Sequence, residues 1–483
     1  MTTMDHAAYY RALTARDPRF DGVFFVGVTS TGIYCRPICT AKTPRAQNCR
    51  FYSSAEAAES DSFRPCLRCR PELAPGSAPV DDARRIADLL VQRLEEGTPE
   101  AGIESIAAQF ELSSRQIRRI VQQELGVSPI QLLSTRRLLL AKQLLTETRL
   151  PIIEVAFASG FASLRRFNDA FRERYGMPPN RLRREASSPA RKTRDRETLT
   201  LQLSYRPPFD WPGLLDFLAQ RELKGVECIS AGEYRRTVRL GSRQGWIRVG
   251  HIPERRGLAV ELSGSLSPVL PALLGRLRHL FDLSARPDLI AERLSRQAAL
   301  AQAVARNPGL RVPGAFDGFE LALRAVLGQQ VTVKAATTLA GRLIEAFGDP
   351  IETPYPELNR LSPGPASLAA AKPRDLTKLG IVGARARSLL ALAQEAFSGR
   401  LVLEAGAPPD QVLPKLLQLP GIGPWTAHYI AMRALRWPDA FPKEDLALRK
   451  KLGGATPTQA EALSQAWRPW RSYATLHLWG ASK

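Results

Sequence analysis

The chain has 483 residues and a formal net charge of +21, with 68 Lys and Arg against 47 Asp and Glu. That length suits about three domains, each able to bury its own core, and that charge points to a polyanionic partner, above all nucleic acid. No run of 18 apolar residues occurs, so no membrane-spanning helix is expected. The start of the chain also lacks a basic-then-apolar leader pattern. The expected setting is a reducing cytoplasm, where clustered cysteines signal metal binding or reactivity rather than disulfides.

Five of the six cysteines precede residue 70. Cys35 and Cys39 form a C-x3-C pair, and Cys66 and Cys69 a C-x2-C pair. Two such pairs can give four thiolates to one tetrahedral zinc ion, the fold closing the gap between them. Cys49 is left over as a small thiol, and Cys228 is expected in a core. The run Tyr34-Cys35-Arg36-Pro37-Ile38-Cys39, followed by Lys42-Thr43-Pro44-Arg45 and Phe63-Arg64-Pro65-Cys66-Leu67-Arg68-Cys69, resembles the N-terminal domain of the Ada adaptive-response family. The resemblance implies that the first cysteine, here Cys35, takes a methyl group from a DNA methylphosphotriester. Cys39, Cys66 and Cys69 would be the other zinc ligands. Zinc keeps such thiols ionised, and the thiolate is the nucleophile. Four thiolates on Zn2+ carry a net charge of roughly −2, and methylation removes one negative charge, easing repulsion from phosphates. The plainer alternative is a purely structural zinc ribbon. Arg36, Lys42, Arg45, Arg64, Arg68 and Arg70 flank the cluster, either to reach phosphates or as a solvated face.

Residues 75–79 read as a linker. Beyond it Ile103, Ile106, Ala107 and Phe110 recur at helical spacing, a turn follows at Leu112-Ser113, and Ser113 or Ser114 caps a second helix. That helix turns Ile117, Ile120 and Val121 inward and Arg115, Gln116, Arg118 and Arg119 outward. The pattern repeats at an offset of 50 residues: Ile117 matches Phe167, Val121 matches Phe171, Gly126 matches Gly176 and Pro129 matches Pro179. In the second copy Ser163 caps a helix bearing Arg165, Arg166 and Asn168. Paired helix-turn-helix units with cationic and amide side chains suit adjacent major-groove segments. The stretch from Glu154 to Phe161, with Phe167, Phe171, Tyr175, Gly176 and Pro179, is similar to the AraC-type regulator domain. The basic stretch 183–192 reads as a flexible tether. The Ada family commonly continues with an alkylguanine-transferring Pro-Cys-His-Arg motif, which this chain lacks, so that repair route is expected to be absent.

Alternation predicts strands at 199–205, 234–240, 246–251 and 258–262, and helices at 212–220 and 267–281. From about residue 290 the pattern is almost wholly helical. Within it an apolar helix at 412–419 runs into Pro420-Gly421-Ile422-Gly423-Pro424-Trp425, where the glycines permit a sharp turn. The helix that starts at Trp425 presents free N–H groups, and Asp445 follows twenty residues on. This reads as a phosphate-gripping helix-hairpin-helix, with a Gly turn between core helices as the alternative. Tyr205-Arg206-Pro207-Pro208-Phe209-Asp210-Trp211, then Leu327-Gly328-Gln329-Gln330-Val331, the hairpin, and Trp467-Arg468-Pro469-Trp470-Arg471-Ser472-Tyr473 together resemble the AlkA alkylbase-DNA glycosylases. That family implies N-glycosidic hydrolysis of alkylated purines without an organic cofactor. The carry-over makes Asp445 the catalytic carboxylate, with Glu444 beside it as the alternative. Trp425, Tyr429 and Trp479 become the base pocket, although aromatics are usually core. Gly421 and Gly423 become phosphate donors, with a monovalent cation at the hairpin. Strand-cutting relatives carry a lysine where Trp425 stands, so monofunctional chemistry is expected. The family's apolar wedge position is Gln330, a departure from its pattern.

The expected architecture is multidomain and mostly α with small α/β parts. It comprises a zinc-bound N-terminal domain (1–78), an all-α double helix-turn-helix domain (80–184), a basic linker (185–197), an antiparallel-sheet α/β subdomain (198–289) and an all-α helix-hairpin-helix glycosylase domain (290–483). The expected partners are double-stranded DNA, as alkylated lesions and promoter sites, and RNA polymerase. The expected protein is a monomer, bacterial, cytoplasmic and nucleoid-associated, joining a glycosylase to a regulator. The rival readings are a regulator whose C-terminal half binds damage without catalysis, and a zinc-stabilised nucleoid protein.

Overall fold

The computed structural model describes residues 6–16, 20–21, 24–52, 55–71, 112–186 and 198–480, with short pieces between 83 and 110. The linker at 75–79 and most of that at 185–197 lie outside the described residues. The chain divides into two compact units between Leu133 and Ser134. Among the described residues no helix is long and apolar enough to cross a membrane.

In the first unit, strands Phe25–Val28 (β1), Ile33–Cys35 (β2), Cys49–Tyr52 (β3) and Arg64–Pro65 (β4) form one sheet in the order β3-β1-β2-β4. Gly27 sits where a Cβ would come within 2.8 Å of the Tyr52 ring, so only glycine lets β1 lie under that side chain. β2 and β4 run parallel, with Tyr34 opposite Pro65, and the Cys66 N–H donates to Tyr34 O at 3.0 Å. This register, rather than sequence proximity, brings the two cysteine pairs together.

The helix Ser114–Leu125 begins with a capping box between Ser113 and Gln116 and ends at Gly126, whose φ of 73° is the left-handed stop that glycine supplies. Ile117 and Val121 pack inward with Ile86, Leu90, Ile106 and Ala107. The 3.6-residue period therefore buried the face expected of it.

In the second unit the helix Ile152–Ala158 leads to Leu164–Tyr175, capped by the Ser163 hydroxyl on the Arg166 N–H, with Phe167 and Phe171 fully buried. The helix Pro179–Ala186 carries Arg183 and Arg184, so the stretch read as a tether starts as ordered helix. Five antiparallel strands follow: Thr198–Ser204 (β5), Glu227–Ser230 (β6), Glu233–Leu240 (β7), Arg243–Ile252 (β8) and Gly257–Ser263 (β9), in the order β5-β9-β8-β7-β6. β6 carries no alternating signal that would announce it in the sequence. Its Cys228 is half-buried on an edge strand rather than in a core. The helix expected at 267–281 is a 3-10 segment, Gly264–Val269, followed by the α-helix Leu270–Leu280.

The second helix-turn-helix and this sheet share one apolar core, in which Leu138, Leu145, Phe167 and Phe171 join Leu199, Leu201 and Val260. The edge strand β5 is closed by side chains from the helix Pro129–Glu147. The Gln202 N–H donates to the Glu147 carboxylate at 2.9 Å, and Gln202 O accepts from the Gln143 amide at 2.7 Å. Two side chains thus do what a sixth strand would do for this exposed edge.

The remaining helices, including Gly318–Leu327, Val333–Phe347, Gly383–Phe397, Pro409–Gln418, Pro424–Arg433 and Arg471–Gly480, enclose a second core. A buried charge lattice joins it to the sheet. Arg236 on β7 donates to Glu320 at 2.9 Å, Arg324 to Glu227 at 3.1 Å, and the Tyr234 hydroxyl to Glu227 at 2.5 Å. Each carboxylate has a donor, as burial of a charge requires.

Candidate active site and zinc centre

The hairpin is built as its residues dictate. The helix Pro409–Gln418 ends at Leu419, and Gly421 follows with φ of 75°, open at no cost only to glycine. A Cβ there would also meet Ser388 Oγ at 2.4 Å. Gly423 differs: its φ is −91° and nothing lies within 4 Å of the Cβ it lacks. Neither backbone nor protein neighbours demand glycine at that point. Gly423 is also the N-cap of Pro424–Arg433 and offers no side-chain cap, so the first N–H groups of that helix are free for an anion.

Asp445 is the N-cap of the helix Leu446–Lys451. Its Oδ1 accepts from the Leu448 N–H at 2.7 Å and from the Trp479 indole at 3.2 Å. Its Oδ2 accepts from the Trp425 indole at 2.8 Å. Three N–H donors from three elements therefore fix one half-exposed carboxylate. The Trp425 and Tyr429 rings stack at 5.3 Å with planes 8° apart, and Tyr429 lies 6.4 Å from Trp479. All four residues line a cavity of about 390 Å3, which falls in the usual size range of small-molecule sites. Glu444 is not among its lining residues.

Arg221, Arg324 and Lys451 also line this cavity. Residue patterns gave no sign of them, since a lone cation within or just beyond a helix carries no motif. Behind the wall, the Arg433 guanidinium donates to the Tyr429 hydroxyl at 2.8 Å. Although burial pushes the Tyr429 phenol up, the Arg433 and Arg221 guanidinium groups outweigh it and bring it to about 8. Gln330 lies on a left-handed turn with φ of 52° and is exposed. Its neighbour Gln329 ties that turn to the hairpin, donating to Gly421 O at 2.8 Å and to Thr426 Oγ1 at 2.9 Å.

In the first unit the sulfurs of Cys35, Cys39, Cys66 and Cys69 all lie within 4.8 Å of one another, and all four are buried. Tetrahedral Zn–S bonds of about 2.3 Å need sulfurs spaced much as these are. Hydrogen bonding to Cys39 and Cys69, together with burial, pushes the Cys35 thiol up, while the Cys39 thiol is held down by its bonds to Cys35 and Cys69. So many ionisable sulfurs in one buried space call for a cation, and the donor set fits Zn2+. Arg36, one of the flanking cations that the sequence offers for phosphate contact, is instead 1% exposed and paired with Asp21. Its backbone N–H donates to Cys69 Sγ at 3.3 Å. Lys42, Arg45, Arg64, Arg68 and Arg70 are exposed.

On the first helix-turn-helix, Arg115, Gln116, Arg118 and Arg119 are exposed. The Gln116 amide oxygen is engaged by the Ser113 N–H at 2.8 Å, which leaves its NH2 as the free end. On the second, Arg165 and Arg166 are exposed and Asn168 is half-buried.

Comparison with known proteins gives a match for each part. The metal binding domain of Ada matches 8–72, a helix-turn-helix domain 106–185, the AlkA N-terminal domain 200–317, and the HhH-GPD superfamily of base excision DNA repair proteins 323–471. Mycobacterium tuberculosis has a relative described as a probable bifunctional transcriptional activator/DNA repair enzyme AlkA. It is 40% identical over 483 residues, spanning 98% of this chain and 96% of the relative. DNA-3-methyladenine glycosylase 2 of Escherichia coli is 37% identical over 279 residues, 57% of this chain and 95% of that protein. The bifunctional transcriptional activator/DNA repair enzyme Ada of Escherichia coli is 37% identical over 120 residues, 25% of this chain and 33% of that protein. With a full-length relative at that identity and every domain matched, the chain belongs to the AlkA-type family of bifunctional transcriptional activator/DNA repair enzymes, a base-excision glycosylase fused to a regulator.

Proposed function

We propose that residues 198–483 excise alkylated purines from double-stranded DNA by hydrolysing the N-glycosidic bond, with Asp445 facing the sugar. Alkylation at a ring nitrogen makes the base cationic and a good leaving group. As the bond breaks, positive charge develops on the sugar, and a fixed carboxylate stabilises it or aids the attacking water. The observation that carries this reading is the hold on Asp445: its carboxylate is aimed by two indole N–H groups and a helix start on the wall of an aromatic-lined cavity. Trp425, Tyr429 and Trp479 receive the base by stacking and cation–π attraction. The N–H groups at Gly421 and Gly423 grip a phosphate, with a monovalent cation completing that grip, and no organic cofactor is needed. Gln330 enters the gap left by the extruded base and bonds to its orphaned partner.

In the zinc domain, Cys35 accepts the methyl group. Its sulfur attacks the methyl carbon of a phosphotriester, an S–C bond forms, the C–O bond breaks, and the phosphodiester leaves as an anion. Zinc, when bound, keeps the sulfurs ionised. The change removes one negative charge from a face carrying Arg45, which strengthens attachment to DNA. Arg115, Gln116, Arg118 and Arg119, with Arg165, Arg166 and Asn168, then read promoter DNA and bring RNA polymerase to it. The protein acts as a monomer on the bacterial nucleoid, with domain limits at 1–78, 80–184, 198–289 and 290–483.

The test is release of free 3-methyladenine from methylated duplex DNA. The native protein releases it, and Asp445→Asn lowers single-turnover release by about a hundred-fold or more. Native-rate release by that variant would overturn the assignment.

A further inference from the structure

The turn between the helices Gly318–Leu327 and Val333–Phe347 borders the cavity that holds Asp445. Gly328, Val331 and Val333 line that cavity, and both valines are exposed. Between them and the first helix stands Gln330, exposed and held at φ of 52°. A residue with a Cβ keeps such a left-handed conformation only when its surroundings impose it. What imposes it lies one residue back. The Gln329 Nε2 donates to Gly421 O at 2.8 Å and to Thr426 Oγ1 at 2.9 Å. The Gln329 carbonyl accepts from Arg385 Nη2 at 2.5 Å. A carboxamide nitrogen has two N–H donors, and here each goes to one side of the hairpin turn. Gly421 O precedes that turn, and Thr426 lies in the first turn of the helix Pro424–Arg433. Gln329 is therefore fixed to the same segment that carries Gly423 and Trp425, whose indole holds Asp445.

We propose that Gln329 is a positioning residue for base extrusion. Its amide locks the Gln330 turn to the hairpin, so that the hairpin's grip on a phosphate and the entry of Gln330 into the duplex are one movement. Gln329 itself touches neither base nor sugar and acts through its neighbour. A segment that must enter a stacked duplex gains from being ordered beforehand, since the entropy of fixing it is then lost in folding rather than at binding. Without the amide, the turn is free to leave its left-handed conformation, and Gln330 must find the gap by its own motion. The phosphate grip and the carboxylate are left in place, so the loss falls on extrusion rather than on DNA affinity. This inference rests on the glycosylase reading above.

The experiment measures single-turnover base release by the full-length protein from two duplexes. Each carries one 7-methylguanine or, if the native protein releases it faster, one ethenoadenine. In the first duplex the lesion faces an ordinary base. In the second it faces a pyrene nucleotide, whose bulk fills the gap and so replaces the inserted side chain. The native protein is compared with Gln329→Ala and with Gln329→Met, which keeps the length of the side chain and loses both donors. On the ordinary duplex both variants are expected to slow release by about ten-fold or more, the scale of two lost hydrogen bonds. On the pyrene duplex they are expected to recover to within about three-fold of the native rate, with DNA affinity changed by less than about three-fold on either. Stopped-flow fluorescence of 2-aminopurine placed beside the lesion reads extrusion directly and is expected to slow by the same factor as release. An equal deficit on both duplexes overturns the proposal, since it shows a structural or chemical role only. Native rates on the ordinary duplex, or slow release with native extrusion, overturn it as well. A native protein that releases no alkylated purine brings down the glycosylase reading, and this inference with it. Release that ignores residue 329 brings down this inference alone. Gln329→Met fills the space of the native side chain, so a folding defect in Gln329→Ala does not close the test.

Discussion

Asp445 shows how donors give a carboxylate a single orientation. A free side chain would sample several rotamers, whereas two indoles and a helix start leave it one orientation. The indoles give their edge N–H groups to the carboxylate, and in the function proposed above their flat faces also receive the base. Trp425→Phe separates these roles, because it keeps an aromatic face and removes the bond to Asp445 Oδ2. The expected outcome is a drop of roughly ten- to a hundred-fold in kcat, the range for a lost hydrogen bond to a charged group, with a much smaller effect on KM. A loss confined to KM would mean that only stacking matters at this position. Lys451 also lines the cavity, but it ends the helix that Asp445 begins, about 9 Å away along the axis at 1.5 Å per residue. Borohydride reduction during turnover is therefore expected to trap no protein–DNA adduct. A covalent adduct lost in Lys451→Ala would reveal imine chemistry instead.

At the scale of the element, the hairpin's two glycines play unlike parts. Gly421 is required by the fold, through its positive φ and the closeness of Ser388. Gly421→Ala is expected to cost about 1–3 kcal/mol of stability, read as a lower Tm. Gly423 is required by neither. Gly423→Ala is expected to leave Tm near native while weakening binding to duplex DNA about ten-fold, because a methyl group there stands where, in the function proposed above, a phosphate approaches the helix N-terminus. Equal DNA affinity for native protein and Gly423→Ala would remove the hairpin from the DNA contact.

Across the second unit, buried histidines tie folding to pH. Burial lowers His279 to about 3 and His477 to about 4, from an ordinary value near 6.5. Both are neutral in the folded protein, so acidification protonates the unfolded chain first. Their contribution is fully present above pH about 6.5 and is lost progressively as pH falls toward 4. Urea midpoints measured from pH 7.5 to 4.5 are expected to decline, with a loss on the order of a few kcal/mol by the acid end. His279→Gln is expected to flatten part of that decline, and an unchanged slope would exclude His279 as its source. Salt is a separate lever, since the excess of 21 positive charges acts on DNA affinity through counterion release rather than on the fold.

The sequence alone determined what depends on local order. Cysteine spacing announced a metal site, because close pairs present two sulfurs whatever the wider fold. The 50-residue repeat and its capping serines announced the helix-turn-helix units, since caps and apolar periods act within a few residues. Alternation announced four of the five strands that follow. It missed β6, where Glu227 is buried only because Arg236 and Arg324 arrive from elsewhere to neutralise it. Tertiary structure alone decided which distant groups meet. It set Trp479 against Asp445 across 34 residues and brought Arg221 and Lys451 into the same cavity. It also buried Arg36 on Asp21 and spent the Gln116 oxygen on a cap. Periodicity records which face of an element is buried, whereas a site is made by contacts between elements, and those are fixed only when the cores close.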